Sequence, residues 1–269
     1  MMETALHVEH LQAGYEKKVV VPDASFDIPK GKIVSIIGPN GCGKSTVLRS
    51  TTGHLPIMAG KVELDGRPLQ QYGSKLLARK IACLSQTNAS PEDMTVRRLV
   101  GFGRVPHRKW GFSLMTDEDR RAIDDALRFT GADTLEDSLV GDLSGGERQR
   151  VWLAMVIAQE PDILLLDEPT TYLDVSHQLE IMELLRHLNK MRNTTIAMVL
   201  HDLNQAMKYS DQVVVMNKGS IYSTGTPTQV CTERMLEEVY GLKCDVGFDD
   251  EGSVNITSMS LSRKLSFNV

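Results

Sequence analysis

The stretch Gly38-Pro39-Asn40-Gly41-Cys42-Gly43-Lys44-Ser45 constrains this chain more than any other. It fits G-x-x-x-x-G-K-[ST], the pattern of a phosphate-binding loop, in the strand–loop–helix setting that such a loop needs. The apolar run Lys32–Ile37 before it reads as a buried strand, and Ser45–Ser50 after it as a helix start. Gly41 and Gly43 let the backbone curl so that successive N–H groups face phosphate oxygens. The helix N-terminus adds its own unpaired amides and the positive end of its dipole. Lys44 reaches the β- and γ-phosphates, and the Ser45 hydroxyl is a ligand for Mg²⁺. Gly38, Asn40, Cys42 and Thr46 complete the nucleotide contacts expected of the loop.

The chain has 269 residues, enough for one large domain or two modest ones with a real core. With 41% hydrophobic and 24% charged residues it is neither disordered nor fibrous. A net charge of −5 carries no basic footprint, so a nucleic-acid partner is not expected. No apolar run approaches the ~18–20 residues that span a bilayer. The start, Met1-Met2-Glu3-Thr4, lacks the features of a signal peptide. Cys42, Cys83, Cys231 and Cys244 are far apart, which argues against a disulfide framework or a zinc site and fits a reducing cytosol. Any membrane role is then expected to come through a partner.

Taken in order, Ala5–His10, Lys18–Val21, Ser25–Ile28 and Ile33–Ile37 read as short strands, partly antiparallel. Turns are expected at Ala13-Gly14, Pro22-Asp23 and Pro29–Gly31. Tyr15 falls in a loop after the first strand, as a surface residue or as a ring that stacks on a base. Gly60–Gly66 is a strand, and Ile81–Gln86 another that ends on the polar Gln86. Residues 87–158 then show helical periods and no clear strand, which predicts a helical insertion between α/β halves. Within it Thr116 caps a helix that Gly131 ends. Leu143-Ser144-Gly145-Gly146-Glu147 opens a second Gly-rich helix start, either a plain Ser N-cap or a second anion site.

Asp162–Pro169 is an apolar strand ending in two adjacent carboxylates at the sheet edge where such folds bind ligands. Asp167 is placed to hold Mg²⁺ and Glu168 to polarise an attacking water. A loop at 170–174 leads to a helix over 176–191. Thr194–Leu200 is a buried strand ending at His201, which is structural or donates to a γ-phosphate. Gln212–Met216 and Ser220–Thr224 form a hairpin, 226–240 is helical, and 242–269 holds short strands or tail. Repeats and low-complexity segments are absent from the sequence.

As an ordered set, these motifs resemble the ATP-binding cassette of ABC transporters over about residues 5–240. The resemblance rests on Tyr15, the loop 38–45, Gln86, Leu143–Glu147, Ile163–Glu168, Leu173-Asp174 and His201. It implies an α/β fold: a P-loop cassette with a RecA-like mixed-sheet core, an N-terminal antiparallel β subdomain and an inserted helical subdomain. The division it implies is 1–86 with 159–241 as catalytic core and β subdomain, 87–158 as helical subdomain, and 242–269 as C-terminal tail. It implies Glu168, His201 and Gln86 as catalytic residues, and Ser45, Gln86 and Asp167 around Mg²⁺. Tyr15, the loop residues, Ser144, Gly145, Gly146, Glu147 and Asp174 would contact ATP. Ser144 and Gly146 would do so across a homodimer. Membrane permease subunits and, indirectly, a substrate-binding protein are the implied partners, with the chain peripheral on the cytoplasmic face.

Gly103–His107, Trp152–Met155 and Thr170–Asp174 look like the ATPase subunits of ferric-siderophore importers. Importers of haem, cobalamin and other chelates share similar motifs. Soluble cassette proteins of translation or DNA repair are a remoter alternative. They usually carry two cassettes or a long coiled coil, which this chain lacks. From the resemblance, Arg104 and His107 are expected at a groove that receives a permease helix, or else as braces within the insertion.

Overall fold

A computed structural model describes residues 3–16, 18–86, 88, 91–108 and 115–262. Met1, Met2, the end of the tail beyond 262, and the parts of the expected insertion at 87, 89, 90 and 109–114 lie outside the described residues. The chain forms two compact units, Met1–Gly66 with Met198–Val269, and Arg67–Ala197. The second unit groups the expected insertion with the strands that flank it.

In the first unit, strand Thr4–Tyr15 pairs antiparallel with both Lys18–Pro29 and Ile57–Leu64. Ser220–Gly225 joins Lys18–Pro29 in parallel through Ser220 and Asp23, and pairs antiparallel with Gln212–Asn217. Gln212–Asn217 runs parallel to Ile33–Ile37. Every residue of Ile33–Ile37 and all of Val213–Met216 are buried, the run of apolar side chains that a strand covered on both faces requires. Full burial of each such Ile or Val is worth about 1.5–3 kcal/mol. Ser35 is the polar member of its strand, and its hydroxyl accepts from Ser210 Oγ at 2.6 Å.

Two expected turns are not turns. The strands run straight through Ala13-Gly14 and through Pro22-Asp23. Gly14 is there for close approach: a Cβ on it would lie 2.0 Å from the Lys18 carbonyl oxygen. Pro22 sits where the register slips between the Leu11–Ala24 and Ala13–Val21 pairs, a bulge that tolerates a residue without an N–H. Tyr15 is accordingly the last residue of its strand, paired with Lys18, and not a loop residue. The helical reading of 226–240 divides into Pro227–Val230, Glu233–Met235 and Leu236–Tyr240. The tail forms a hairpin of Leu242–Phe248 and Val254–Leu261.

In the second unit, Ile81–Leu84 runs parallel to Ile163–Asp167, whose five residues are all buried. Two expected helices appear at their expected caps. Thr116 and Asp119 make a capping box on helix Asp117–Thr130, and Gly131 ends it at φ 64°. Ser144 and Glu147 make another on helix Gly145–Ala158. Asp174 caps helix Val175–Arg192, which closes on Asn193 at φ 52°. Gly103 lets the 3₁₀ segment Phe102–His107 lie on helix Gly145–Ala158, called the signature helix below, since a Cβ there would meet the Met155 carbonyl oxygen at 2.1 Å.

Candidate functional site: phosphate loop, carboxylate strand and signature helix

Within the first unit, strand Ile33–Ile37 delivers the loop and helix Lys44–Thr51 receives it. Gly41 and Gly43 adopt φ 79° and 100°, a left-handed backbone that side chains disfavour. A Cβ on Gly38 would stand 2.3 Å from the Met216 carbonyl oxygen and 2.7 Å from Cys42 Sγ, so the loop is pressed against strand Gln212–Asn217. Gly219 N–H pins it from outside by donating to the Cys42 carbonyl at 3.1 Å. Lys44 is buried, and its ammonium donates to the carbonyls of Gly38 at 2.8 Å and Pro39 at 3.1 Å. A cation held on a short lever beside a helix N-terminus is what a triphosphate needs.

Tyr15 lines a shallow cavity with Leu55, Pro56, Ile57 and Met58, an apolar floor beside an exposed ring. His201 is exposed and follows strand Thr195–Val199; its neighbour Asp202 caps helix Leu203–Tyr209. Sequence reasoning missed Tyr240. It lies half-buried beside the loop, where burial raises its phenol, the Cys42 thiol adds to the shift and Gly38 N–H opposes it. Only the fold brings the C-terminal segment there, so no local pattern could have marked it.

Within the second unit, strand Ile163–Asp167 ends in the buried Asp167, and Glu168 turns the chain at φ 57°. Gln86 Nε2 and Thr171 Oγ1 both donate to Glu168 Oε2, at 2.6 and 3.0 Å. Ser144 acts as N-cap: its Oγ donates to Glu147 Oε2 at 2.6 Å and accepts from Glu147 N–H at 3.4 Å. The Ser144 hydroxyl and N–H hold the Glu147 carboxyl below its ordinary range. Ser144 and Gly145 are exposed, so the cap does not preclude an incoming anion. Asp174 spends its carboxylate on its own helix start. Its pKa falls to about 2, first through the His177 N–H, then the His177 ring and Ser176 Oγ.

Of the two expectations for Arg104 and His107, the receiving surface is corrected and the brace is borne out. Arg104 is 1% exposed and donates to Asp119 Oδ1 (3.0 Å), the Ala158 carbonyl (2.8 Å) and Glu160 Oε2 (2.6 Å). His107 Nε2 lies 2.9 Å from the Gln159 carbonyl. Both brace the end of the signature helix, where carbonyls lack partners and cations are favoured. The exposed side chains of this segment are Phe102 and Val105 instead.

A phosphate loop behind a buried parallel strand, with paired carboxylates ending another, defines the class of P-loop nucleotide hydrolases. Within that class the chain belongs to the ABC transporter family, whose model matches residues 21–171. It is 46% identical over 239 residues to the ferric enterobactin transport ATP-binding protein of Escherichia coli (strain K12), covering 89% of this chain and 88% of that one. It is 45% identical over 245 residues to the iron(3+)-hydroxamate import ATP-binding protein of Bacillus subtilis (strain 168), covering 91% of each. Among solved structures it resembles an inward-facing putative metal-chelate type ABC transporter, with a TM-score of 0.81, 28% identity, and coverage of 94% of this chain and 97% of that one. The fold is the cassette fold, with a mixed sheet, an N-terminal β subdomain and helical insertions. The protein binds and hydrolyses ATP.

Proposed function

We propose that this chain powers the import of ferric siderophores, as the cytoplasmic, membrane-peripheral ATPase of a transporter with permease subunits. The observation that carries this reading is the nearly end-to-end likeness to ATPases named for iron-siderophore transport. Haem, cobalamin or another chelate as cargo is the neighbouring reading. The cassette itself does not contact cargo, so the choice lies with subunits outside this chain.

In this reading the phosphate loop with Lys44, Ser45 and Thr46 holds the triphosphate, and Tyr15 stacks on the base. Glu168 polarises the attacking water, and His201 donates to the γ-phosphate. Ser45, Gln86 and Asp167 would hold Mg²⁺, which neutralises phosphate charge. Their hydroxyl, amide and carboxylate oxygens form a hard donor set suited to it. Phosphate oxygens of the bound nucleotide would complete the coordination.

A homodimer is the working unit, with Ser144–Glu147 and the Asp174 loop facing the partner's nucleotide. Support comes from Tyr172 and Val175 beside that loop, 89% and 70% exposed, large apolar residues that a second copy would cover. The narrower division of the chain, with 87–158 as a separate helical subdomain, belongs to the same reading. No described helix is long and apolar enough to cross a membrane, so permease subunits would supply the path.

The test is growth of a deletion strain on ferric siderophores as sole iron source, with haem and cobalamin uptake measured in parallel. Loss of siderophore uptake, restored by this chain and not by its Glu168→Gln variant, is the expected result. Normal uptake of every siderophore with failure on cobalamin or haem would overturn the cargo and leave the importer standing.

A further inference from the structure

The signature helix, Gly145–Ala158, is tied to the segment after the carboxylate strand at three heights. Gln149 Nε2 donates to the Pro169 carbonyl at 2.8 Å. Arg150 Nη1 lies 3.8 Å from Glu180 Oε2. Nearest the helix start, the ring of His177 covers Gly146. A Cβ on Gly146 would stand 2.4 Å from His177 Cδ2 and 2.7 Å from Nε2, so the ring edge fills the space any other residue would need. Gly146 has no positive φ, so its glycine is explained by this contact and not by backbone strain.

The ring is held from its other side. His177 Nδ1 lies 2.9 and 2.8 Å from the two oxygens of Asp174. A carboxylate only accepts, so Nδ1 carries the proton and donates, and the Nε2 edge is the one left against the signature turn. Asp174 is fixed in turn by the His177 N–H at 2.9 Å and Ser176 Oγ at 2.8 Å. Ser144, by contrast, spends its hydroxyl on Glu147 of its own turn, so that capping box does not anchor the turn to anything else.

We propose that His177 is a positioning residue for ATP hydrolysis: it sets the Ser144–Gly146 helix start by docking it on the Asp174 loop. The proposal rests on the reading of that helix start as a nucleotide contact. Amides that bind an anion act only when held within a fraction of an ångström of their working place. The ring makes loop and helix start move as one piece.

Three variants divide the contact. His177→Asn keeps a donor where Nδ1 sits and lacks the outer ring edge. His177→Gln reaches the outer edge without that donor, and His177→Ala removes both. Amide hydrogen exchange of Gly146–Arg148 is measured first, on the full chain without nucleotide. All three should exchange about fivefold faster there, with an unchanged melting temperature. ATP-driven self-association is measured next in the Glu168→Gln background. It should weaken about tenfold, while nucleotide affinity of the single chain stays put. Wild-type exchange in all three variants overturns the docking. Faster exchange with undiminished association overturns the role in the reaction. If the Glu168→Gln chain with His177 intact does not associate with ATP, the nucleotide reading of the helix start falls, and the reaction role with it.

Discussion

Gln86 Nε2 donates to Glu168 Oε2 at 2.6 Å across 82 residues of sequence. The hydroxyl of Thr171 reaches the same oxygen at 3.0 Å. Two donors on one oxygen fix the plane of the carboxylate, and a general base works only when its geometry is right before the reaction. Glu168→Gln keeps the shape and removes the charge, so steady-state ATPase should fall by roughly 10²–10⁴-fold with ATP still bound. Gln86→Ala should lower turnover more than ATP affinity, since it frees the Glu168 carboxylate and removes one expected Mg²⁺ ligand while the phosphate loop stays intact. Near wild-type turnover in Glu168→Gln would remove Glu168 from the reaction.

Arg104 is a stability residue. Removing it strands Asp119, a carboxylate that is itself buried. Burial opposes that charge, and hydrogen bonds from Thr116 and Arg104 outweigh the penalty, so its pKa stays below the ordinary value. Breaking a buried pair from one side costs about 3–5 kcal/mol, and Arg104→Ala should lose that much in denaturant titration. The contact with half-exposed Glu160 adds little. Arg104→Lys should fall between, because a single ammonium cannot serve Asp119 and the Ala158 carbonyl as a fork does.

Much of this was legible in the sequence, for a physical reason. The phosphate loop, the caps at Thr116 and Ser144, and the carboxylates after Ile163–Leu166 are local devices whose residues lie within a few positions of one another. What the sequence hid is set by tertiary approach. Gly14 looked like a turn because glycine marks turns as well as close contacts, and only its distance from the Lys18 carbonyl decides between them. Arg104 reads in sequence as either a groove cation or a brace, because its partners lie 15 and 56 residues away. His177 and Tyr240 carry no motif at all; their roles come from what the fold places against Gly146 and beside Gly38.

Cys42 lies in the phosphate loop but is buried, and burial raises its thiol above the ordinary value, against the pull of Lys44. The thiolate is the reactive form, so a bulky maleimide should modify this site slowly at neutral pH and faster as pH rises. ATP should protect, and Cys42→Ala should remain active and resist inhibition. Equal inhibition of Cys42→Ala would assign the effect to another cysteine.

Asp174 gives a pH signature of the cap. Its folded pKa of about 2 lies below the ordinary carboxyl value of 3.8. The cap therefore contributes fully above that value, and its contribution fades as pH falls from about 3.8 toward 2. Carboxyl ¹³C titration should find the Asp174 midpoint near 2. His177→Ala should raise it only part of the way, because the backbone N–H of residue 177 is the largest cause and survives the substitution. A midpoint that does not move would mean the ring hydrogen bond contributes nothing to the cap.

Arg104 and His107 are braces, so the exposed apolar face of their segment falls to other side chains. Phe102 and Val105 are 47% and 53% exposed on the 3₁₀ segment Phe102–His107. Helix Ser74–Lys80 packs beside this segment, with Arg79 Nε donating to the Pro106 carbonyl at 2.9 Å and Leu76 exposed. The two elements present apolar side chains on a rigid frame, the kind of surface on which an amphipathic helix seats. Phe102→Ser and Val105→Ser remove apolar area from the surface without stranding a buried group, so folding and basal ATPase should stay near wild type. Permease-stimulated ATPase in proteoliposomes should drop several-fold in each and further in the pair. Arg104→Lys serves as the contrast: its loss should appear first as a lower melting temperature, with basal and coupled activity falling together. Full stimulation of the Phe102→Ser/Val105→Ser chain would move the permease contact elsewhere on the protein.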